Sequence, residues 1–263
     1  MDNKIKIVFV DIDWTIFDHS KQPSKFDKRS IKELQRIQKK GVLVFLCTAR
    51  PYHSVAHIKL LDIFTPDGMI LANGGLVVYK NDILYEDKMN PKELEDFCDL
   101  ATSLQVNVEV IRPFDCFLIA PENKVVISLF AVYPEPIPPV EDYHNQKEVI
   151  GCNLFAPIEL DEIFKAKLPK DFYYFRYHDF GVDIGSTPHV KGDAIRITLN
   201  KLNIDKKCAM AIGDDYADIS MFENVEYGIA MGNAREEVKD AASHITKTVT
   251  RHGVKHILRQ FIK

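Results

Sequence analysis

The chain opens on an apolar block, Lys4–Val10 (KIKIVFV), that stops abruptly at Asp11. Its β-branched content predicts a buried strand. From Asp27 the period changes. Ile31, Leu34 and Ile37 fall on one helical stripe, with Asp27 placed to cap the helix and Gly41 to close it. Val42–Cys47 (VLVFLC) is again continuously apolar and predicts a second strand. Ser54–Leu61 reads as a helix, and Met69–Leu71 as a third short strand before Asn73-Gly74-Gly75. Such alternation predicts a parallel sheet with helical crossovers. The rhythm returns late in the chain, with a helix over Gly192–Leu202, a strand at Cys208–Ile212 (CAMAI), a short helix over Ile219–Phe222 and a strand at Tyr227–Ala230. A last helix carries Val254, Ile257, Leu258 and Phe261 on one face.

The middle of the chain has a different pattern. Pro91–Leu104 predicts a helix, and Asn107–Arg112, Phe117–Ile119 and Val125–Val132 predict strands. Pro134–Val140 (PEPIPPV) reads as a rigid connector. Beyond it a short helical stretch, a strand over Glu148–Phe155, a helix over Glu159–Lys167 and strands at Phe172–Tyr177 and Val182–Ile184 are expected. Adjacent strands of this kind predict an antiparallel α+β unit inserted into the parallel one. The expected fold is therefore α/β, a Rossmann-like doubly wound parallel sheet from residues 1–80 and 186–263, with an α+β insertion over 81–185.

Composition narrows the functional classes. The 263 residues are 46% hydrophobic, enough for a core, so disorder is excluded as the main state. Lys and Arg number 34 against 38 Asp and Glu, a net charge of −4, which argues against a uniformly basic nucleic-acid binder. No apolar run approaches the length of a membrane span, and Ile7–Val10 is too short for a signal peptide. The five cysteines form no C-x-x-C pair, which argues against a disulfide framework and a structural zinc site and suits reduced thiols in the cytoplasm.

Candidate chemistry gathers at predicted strand ends. Asp11 and Asp13 follow the first strand, Thr48 the second, and Asp214 and Asp215 follow CAMAI-Gly213, while Lys191 opens a helix. In an open parallel sheet these positions share one edge, where ligands bind. Clustered carboxylates repel one another unless a cation is present, and Mg²⁺ prefers oxygen ligands. A carboxylate nucleophile, a metal, a lysine and a hydroxyl together fit phosphoryl transfer.

The order of these residues resembles the haloacid dehalogenase (HAD) superfamily. The resemblance rests on Asp11-Ile-Asp13-Trp14-Thr15, Cys47-Thr48-Ala49-Arg50, Lys191-Gly192 and Gly213-Asp214-Asp215-Tyr216-Ala217-Asp218, with Asn73-Gly74-Gly75, Met231-Gly232-Asn233-Ala234 and Gly253-Val254 as further landmarks. The match is closest to the Cof-type sugar-phosphatase branch, whose type II cap would correspond to 81–185. The resemblance implies a cytoplasmic Mg²⁺-dependent hydrolase of small phosphate monoesters, sugar phosphates above all, working through an aspartyl phosphate. It implies Asp11 as nucleophile and Asp13 as general acid and base. Thr48, Ala49 and Lys191 would bind phosphate, with Arg50 near the substrate entrance and Asp218 orienting Lys191. Asp11, Asp13 (through its carbonyl), Asp214 and Asp215 would serve the metal. Candidate specificity residues in the insertion are Arg112, Phe114, Asp115, Tyr177 and His178.

Two residues depart from the family pattern. Trp14 stands where glycine is usual and Ala217 where asparagine is usual. They motivate an alternative, a catalytically weakened or inactive phosphate-ligand binder on the same fold. A phosphoaccepting signalling domain is disfavoured by the large insertion, and a dinucleotide oxidoreductase by the lack of G-x-G-x-x-G. The expected partner is a small phosphorylated metabolite, not nucleic acid or membrane, with the chain a monomer or weak homo-oligomer.

Overall fold

The computed structural model describes residues 4–132, 135–169, 172–186 and 191–263. In chain order it begins with β1 (Ile7–Val10), a short hairpin of β2 (Phe17–Asp18) and β3 (Lys25–Phe26), then α1 (Lys28–Gln38), β4 (Leu43–Cys47) and α2 (Tyr52–His57). β5 (Gly68–Leu71), β6 (Leu76–Tyr79) and β7 (Asp82–Glu86) follow. The middle holds α3 (Pro91–Ser103), β8 (Asn107–Ile111), β9 (Cys116–Leu118), α4 (Lys124–Val132), β10 (Gly151–Phe155), α5 (Asp161–Lys167), β11 (Phe172–His178) and β12 (Gly181–Ser186). The chain ends with α6 (Lys191–Lys201), β13 (Ala209–Gly213), α7 (Tyr216–Glu223), β14 (Tyr227–Ala230), α8 (Glu236–Ala241), β15 (His244–Ile245) and α9 (Gly253–Phe261).

Two compact units emerge. The first comprises Met1–Arg50, Lys59–Tyr85 and His189–Lys263, and the second Pro51–Ile58 and Glu86–Pro188. The segment carrying α2 groups with the second unit. The first unit holds an eight-stranded sheet in the order β15-β14-β13-β1-β4-β5-β6-β7. Strands β15 through β5 run parallel. Strand β1 lies inside this sheet, and all four of its residues are fully buried. Burial on both faces is why the parallel strands read as unbroken apolar runs. Helices α6 and α7 pack Ile195, Leu199, Met221 and Phe222 into a cluster with Ile7, Phe9 and Phe45. The predicted stripe of α1 is buried, and that of α9 is buried except for Phe261, which is half-buried. From β1 the chain moves one way through β4 and β5, and on its return it moves the other way from β13 to β14. The carboxyl ends of β1 and β13 therefore form the crevice at the switch in strand order.

The second unit holds an antiparallel sheet in the order β11-β12-β10-β8-β9. One face packs Val108, Val110, Phe117, Leu154, Val182 and Ile184 against Leu94 and Phe97 of α3 and Phe164 of α5. By the alternation of a strand, Asn107, Glu109, Asn153 and Asp183 occupy the other face.

Several local expectations are corrected. Val125–Val132 is not a strand but lies in helix α4. The Asn123 carboxamide accepts the N–H groups of Val125 and Val126, both at 3.0 Å, and this cap wins over β-branched propensity. The helical stretch expected after the proline segment is absent. There Asp142 accepts the His144 backbone N–H at 3.0 Å in a local turn. The helix expected over Ser54–Leu61 begins earlier, at Tyr52, and ends at His57. Strands β6 and β7 were not anticipated, and β6 pairs antiparallel with β5. Pro134 of the connector lies outside the described residues.

Candidate active site

The pairing register assembles the site. Val10 lies opposite Ile212 on one side and Leu46 on the other, so Asp11, Gly213-Asp214 and Thr48 emerge at one sheet edge. Lys191, the first residue of α6, reaches Asp11 Oδ1 at 2.7 Å and Asp218 Oδ1 at 2.6 Å through its Nζ. Asp11, Lys191 and Asp218 are all buried. The other oxygen of Asp218 accepts the backbone N–H groups of Asp214 at 2.8 Å and Asp215 at 3.1 Å. This fold-back requires Gly213, because a Cβ there would lie 2.3 Å from the Asp218 carboxylate. Asp214 accepts the Thr15 hydroxyl at 2.9 Å and the Asn233 amide at 3.4 Å. Carboxylate oxygens of Asp11, Asp214 and Asp218 lie within 4.8 Å of one another. Thr48 is buried, and its Oγ1 accepts the Arg50 backbone N–H at 3.1 Å.

Electrostatics follow from this crowding. Burial pushes Asp11 well up; Lys191 counters it, while Asp218, Asp214 and Asp13 add to the rise. Burial and the nearby Asp218 push Asp214 up to about 7. Burial alone would lower Lys191, but Asp11 and Asp218 outweigh it and keep the ammonium charged. One buried lysine faces three carboxylates, so a further cation is needed before all three ionise together. Clustered carboxylate oxygens of this kind fit a hard divalent cation such as Mg²⁺.

Asp13 is held differently. The Arg50 guanidinium grips it with two hydrogen bonds, at 2.8 and 2.9 Å, and His19 Nε2 lies 2.7 Å from one of its oxygens. Burial would raise its pKa, but the bonds from His19 and Arg50 win and hold it well below the usual carboxylate range. The structure thus brings together Asp11, Asp214, Asp218 and Lys191, with Thr48 at the same edge. It leaves the Asp13 carboxylate on Arg50 and the exposed Asp215 as the cap of α7, where it accepts the Tyr216 N–H at 2.7 Å. Ala49 is exposed. Thr15 and Asn233 sit inside the family motifs, where only their neighbours announce chemistry, and His19 carries no local signal. Asn233 also donates to the Trp14 carbonyl at 3.0 Å. Trp14 itself has φ +58°.

The specificity candidates are arranged within the second unit. Arg112 pairs with Asp115 and, at 2.9 and 3.1 Å, with Glu141. Phe114 sets its ring edge to face against Tyr52, centroids 5.1 Å apart. His178 Nδ1 accepts the Phe180 N–H at 3.3 Å, and Tyr177 is exposed.

The profile of the haloacid dehalogenase-like hydrolases matches residues 8–258. The chain belongs to that family. The hydrolase is 27% identical over 302 residues to Phosphatase YwpJ of Bacillus subtilis (strain 168), an alignment covering 98% of this chain and 100% of the relative. It superimposes on a hypothetical protein from Geobacillus kaustophilus HTA426 with TM-score 0.89 and 29% identity, covering 97% of this chain and 98% of the other. The HAD subclass IIB sugar phosphatase BT4131 shares the fold, with TM-score 0.79 and 22% identity over 97% of this chain and 98% of its own. The hydrolase is a phosphatase. Among the described residues no helix is long and apolar enough to cross a membrane.

Proposed function

We propose that this phosphatase hydrolyses small phosphate monoesters, sugar phosphates foremost, through an aspartyl phosphate on Asp11. The observation that carries the reading is the buried network in which Lys191 bridges Asp11 and Asp218 beside Asp214. Asp11 is the nucleophile, aimed by Lys191, which then neutralises phosphate oxygens. Asp218 positions Lys191. The Thr48 hydroxyl and the backbone at Ala49 add donors for the phosphate. Asp11 and Asp214, with the Asp13 carbonyl and with Asp215 through an outer shell, would hold Mg²⁺. When bound, that ion supplies Lewis-acid charge stabilisation for the transferring phosphoryl group.

Asp13 protonates the leaving alcohol and later takes a proton from water. A proton is held on Asp13 only after Arg50 lets go of it, because the guanidinium and His19 favour the ionised form. Arg50 thus has two roles, masking Asp13 at rest and turning to the substrate when it binds. The unit built around β8–β12 acts as the cap that selects the leaving group. A sugar phosphate suits the HAD subclass IIB sugar phosphatase that shares the fold. Five free cysteines, four of them buried, suit a reducing cytoplasm.

The test is phosphate release from a panel of sugar phosphates, with Mg²⁺ and with excess chelator. Turnover should require the cation, and Asp11→Asn should lower it by about 10³-fold or more while circular dichroism stays unchanged. Full activity under chelation, or an active Asp11→Asn enzyme, would sink the mechanism.

A further inference from the structure

A second group of ligating side chains lies wholly within the second unit. His53 comes from α2, Glu109 is the middle residue of β8, and Cys116 opens β9. The antiparallel register sets Ile111 opposite Cys116, so Glu109, two residues back, is the diagonal neighbour of Cys116 on the same face. One ligating atom each from the imidazole, the carboxylate and the thiol lie within 4.8 Å of one another. His53 Nε2 stands 3.3 Å from Glu109 Oε1.

This pocket is buried and weakly hydrogen-bonded. Glu109 is 3% exposed and Cys116 8%. Asn153 donates to Glu109 Oε2 at 2.7 Å, but Glu109 Oε1, shut from water, has only the long 3.3 Å contact from His53 Nε2 and the neighbouring Cys116 thiol to satisfy it. Natural proteins satisfy nearly all such groups well, so a buried carboxylate oxygen held this weakly beside an imidazole and a thiol points to a ligand.

We propose that His53, Glu109 and Cys116 form a second metal site, for a borderline-soft divalent ion, Zn²⁺ by the chemistry of its donors. A thiol, an imidazole and a carboxylate are the donor set that Zn²⁺ takes and Mg²⁺ does not. Tetrahedral Zn²⁺ sets its ligand atoms about 3.3–3.8 Å apart, so a closure of about an ångström completes the triad. The fourth position goes to water on the His53 side, where the ring is 23% exposed. Asn153 holds the carboxylate from behind, as outer partners of metal ligands do. Burial and the neighbouring Glu109 push the Cys116 thiol well up, so it carries a proton until the ion displaces that proton to solvent. Thiolate, carboxylate and Zn²⁺ then sum to zero charge inside the pocket. The ion would pin α2, which follows directly on Thr48-Ala49-Arg50 in the chain, to β8 and β9. No C-x-x-C pair announces the site because each ligand comes from a different element.

The experiment strips the full chain with chelator, adds Zn²⁺ in excess Mg²⁺, removes free metal by gel filtration and counts zinc per chain. About one zinc is expected, retained in Asp214→Asn, whose lesion lies in the carboxylate site. In Cys116→Ser and His53→Ala zinc affinity should fall by at least about 100-fold. Co²⁺ in place of Zn²⁺ should give a thiolate charge-transfer absorption in the wild type that vanishes in Cys116→Ser. Zinc absent from the wild type, zinc kept equally by both cap variants, or a wild-type Co²⁺ spectrum without the thiolate band would each overturn the proposal. The last reading needs no variant to fold, and it separates a metal site from a bare His53–Glu109 ion pair.

Discussion

Trp14 occupies a backbone position that a side chain resists. Its φ of +58° puts it in the left-handed region, where a bulky residue is strained. The local turn imposes this conformation, since the N–H groups of Ile16 and Phe17 both reach back to the Ile12 carbonyl, at 2.9 and 2.8 Å. The indole gains little in return. It is 42% exposed and touches the His19 ring at a centroid distance of 5.4 Å. Trp14→Gly should therefore stabilise the fold by about 1 kcal/mol, or raise Tm by about 2–4 °C in a chain of this size. Thermal unfolding followed by circular dichroism checks this, and a lowered Tm would mean that the indole contributes more than the strain costs.

At the scale of elements, caps and cross-links decide what propensity leaves open. Helix α4 is written in β-formers, KVVISLFAV, yet Asn123 caps it, and Val126 and Leu129 bury on one side. Asn123→Ala should cost about 1 kcal/mol, read from chemical denaturation, and a neutral result would show that packing alone holds the helix. A second device ties α5 to β11. The Asp161 carboxylate accepts from Arg176 Nε at 3.0 Å and from the Tyr174 hydroxyl at 2.6 Å. The Arg176 hydrogen bond holds the Asp161 carboxyl below its ordinary value, against the effect of burial. A carboxyl depressed in the folded state binds fewer protons there than when unfolded. Its stabilisation is thus present above about pH 4 and lost as pH falls through the folded value. Asp161→Asn should flatten the fall of Tm between about pH 5 and pH 2. Parallel curves for the two proteins would remove this pair from the acid response.

At the scale of the whole molecule, the first unit is closed on itself through one buried lysine. Asp11 and Asp218 stand near opposite ends of the sequence, and Lys191 joins them beneath the edge where β1 and β13 end. Lys191→Met keeps the length but leaves two buried carboxylates facing each other. The first unit should lose about 3–5 kcal/mol, part of it restored by millimolar Mg²⁺. Urea titrations with and without the cation measure both, and a variant as stable as the wild type would show that the network is not a structural centre.

The sequence by itself determined the parallel sheet, because strands buried on both faces must be written as unbroken apolar runs such as IVFV and AMAIG. It also determined the α1 stripe and its Asp27 cap, both set by contacts within a few residues. The nucleophile candidate, its lysine and Asp214 were legible because a parallel strand delivers whatever follows it to one edge. Everything that depended on who faces whom was decided by the tertiary structure. Asp13, expected as the general acid and base, is gripped by Arg50 and His19 through bonds that no spacing encodes. Asp215, expected in the outer shell of the metal, caps α7, while Asp218 turns inward beside Asp11 and Asp214 because Gly213 leaves room for its carboxylate. His53, Glu109 and Cys116 are unremarkable in the chain, scattered over a helix and two strands. Only the register of an antiparallel sheet and the seat of α2 bring them together, because long-range contacts are selected by burial and pairing rather than by local pattern.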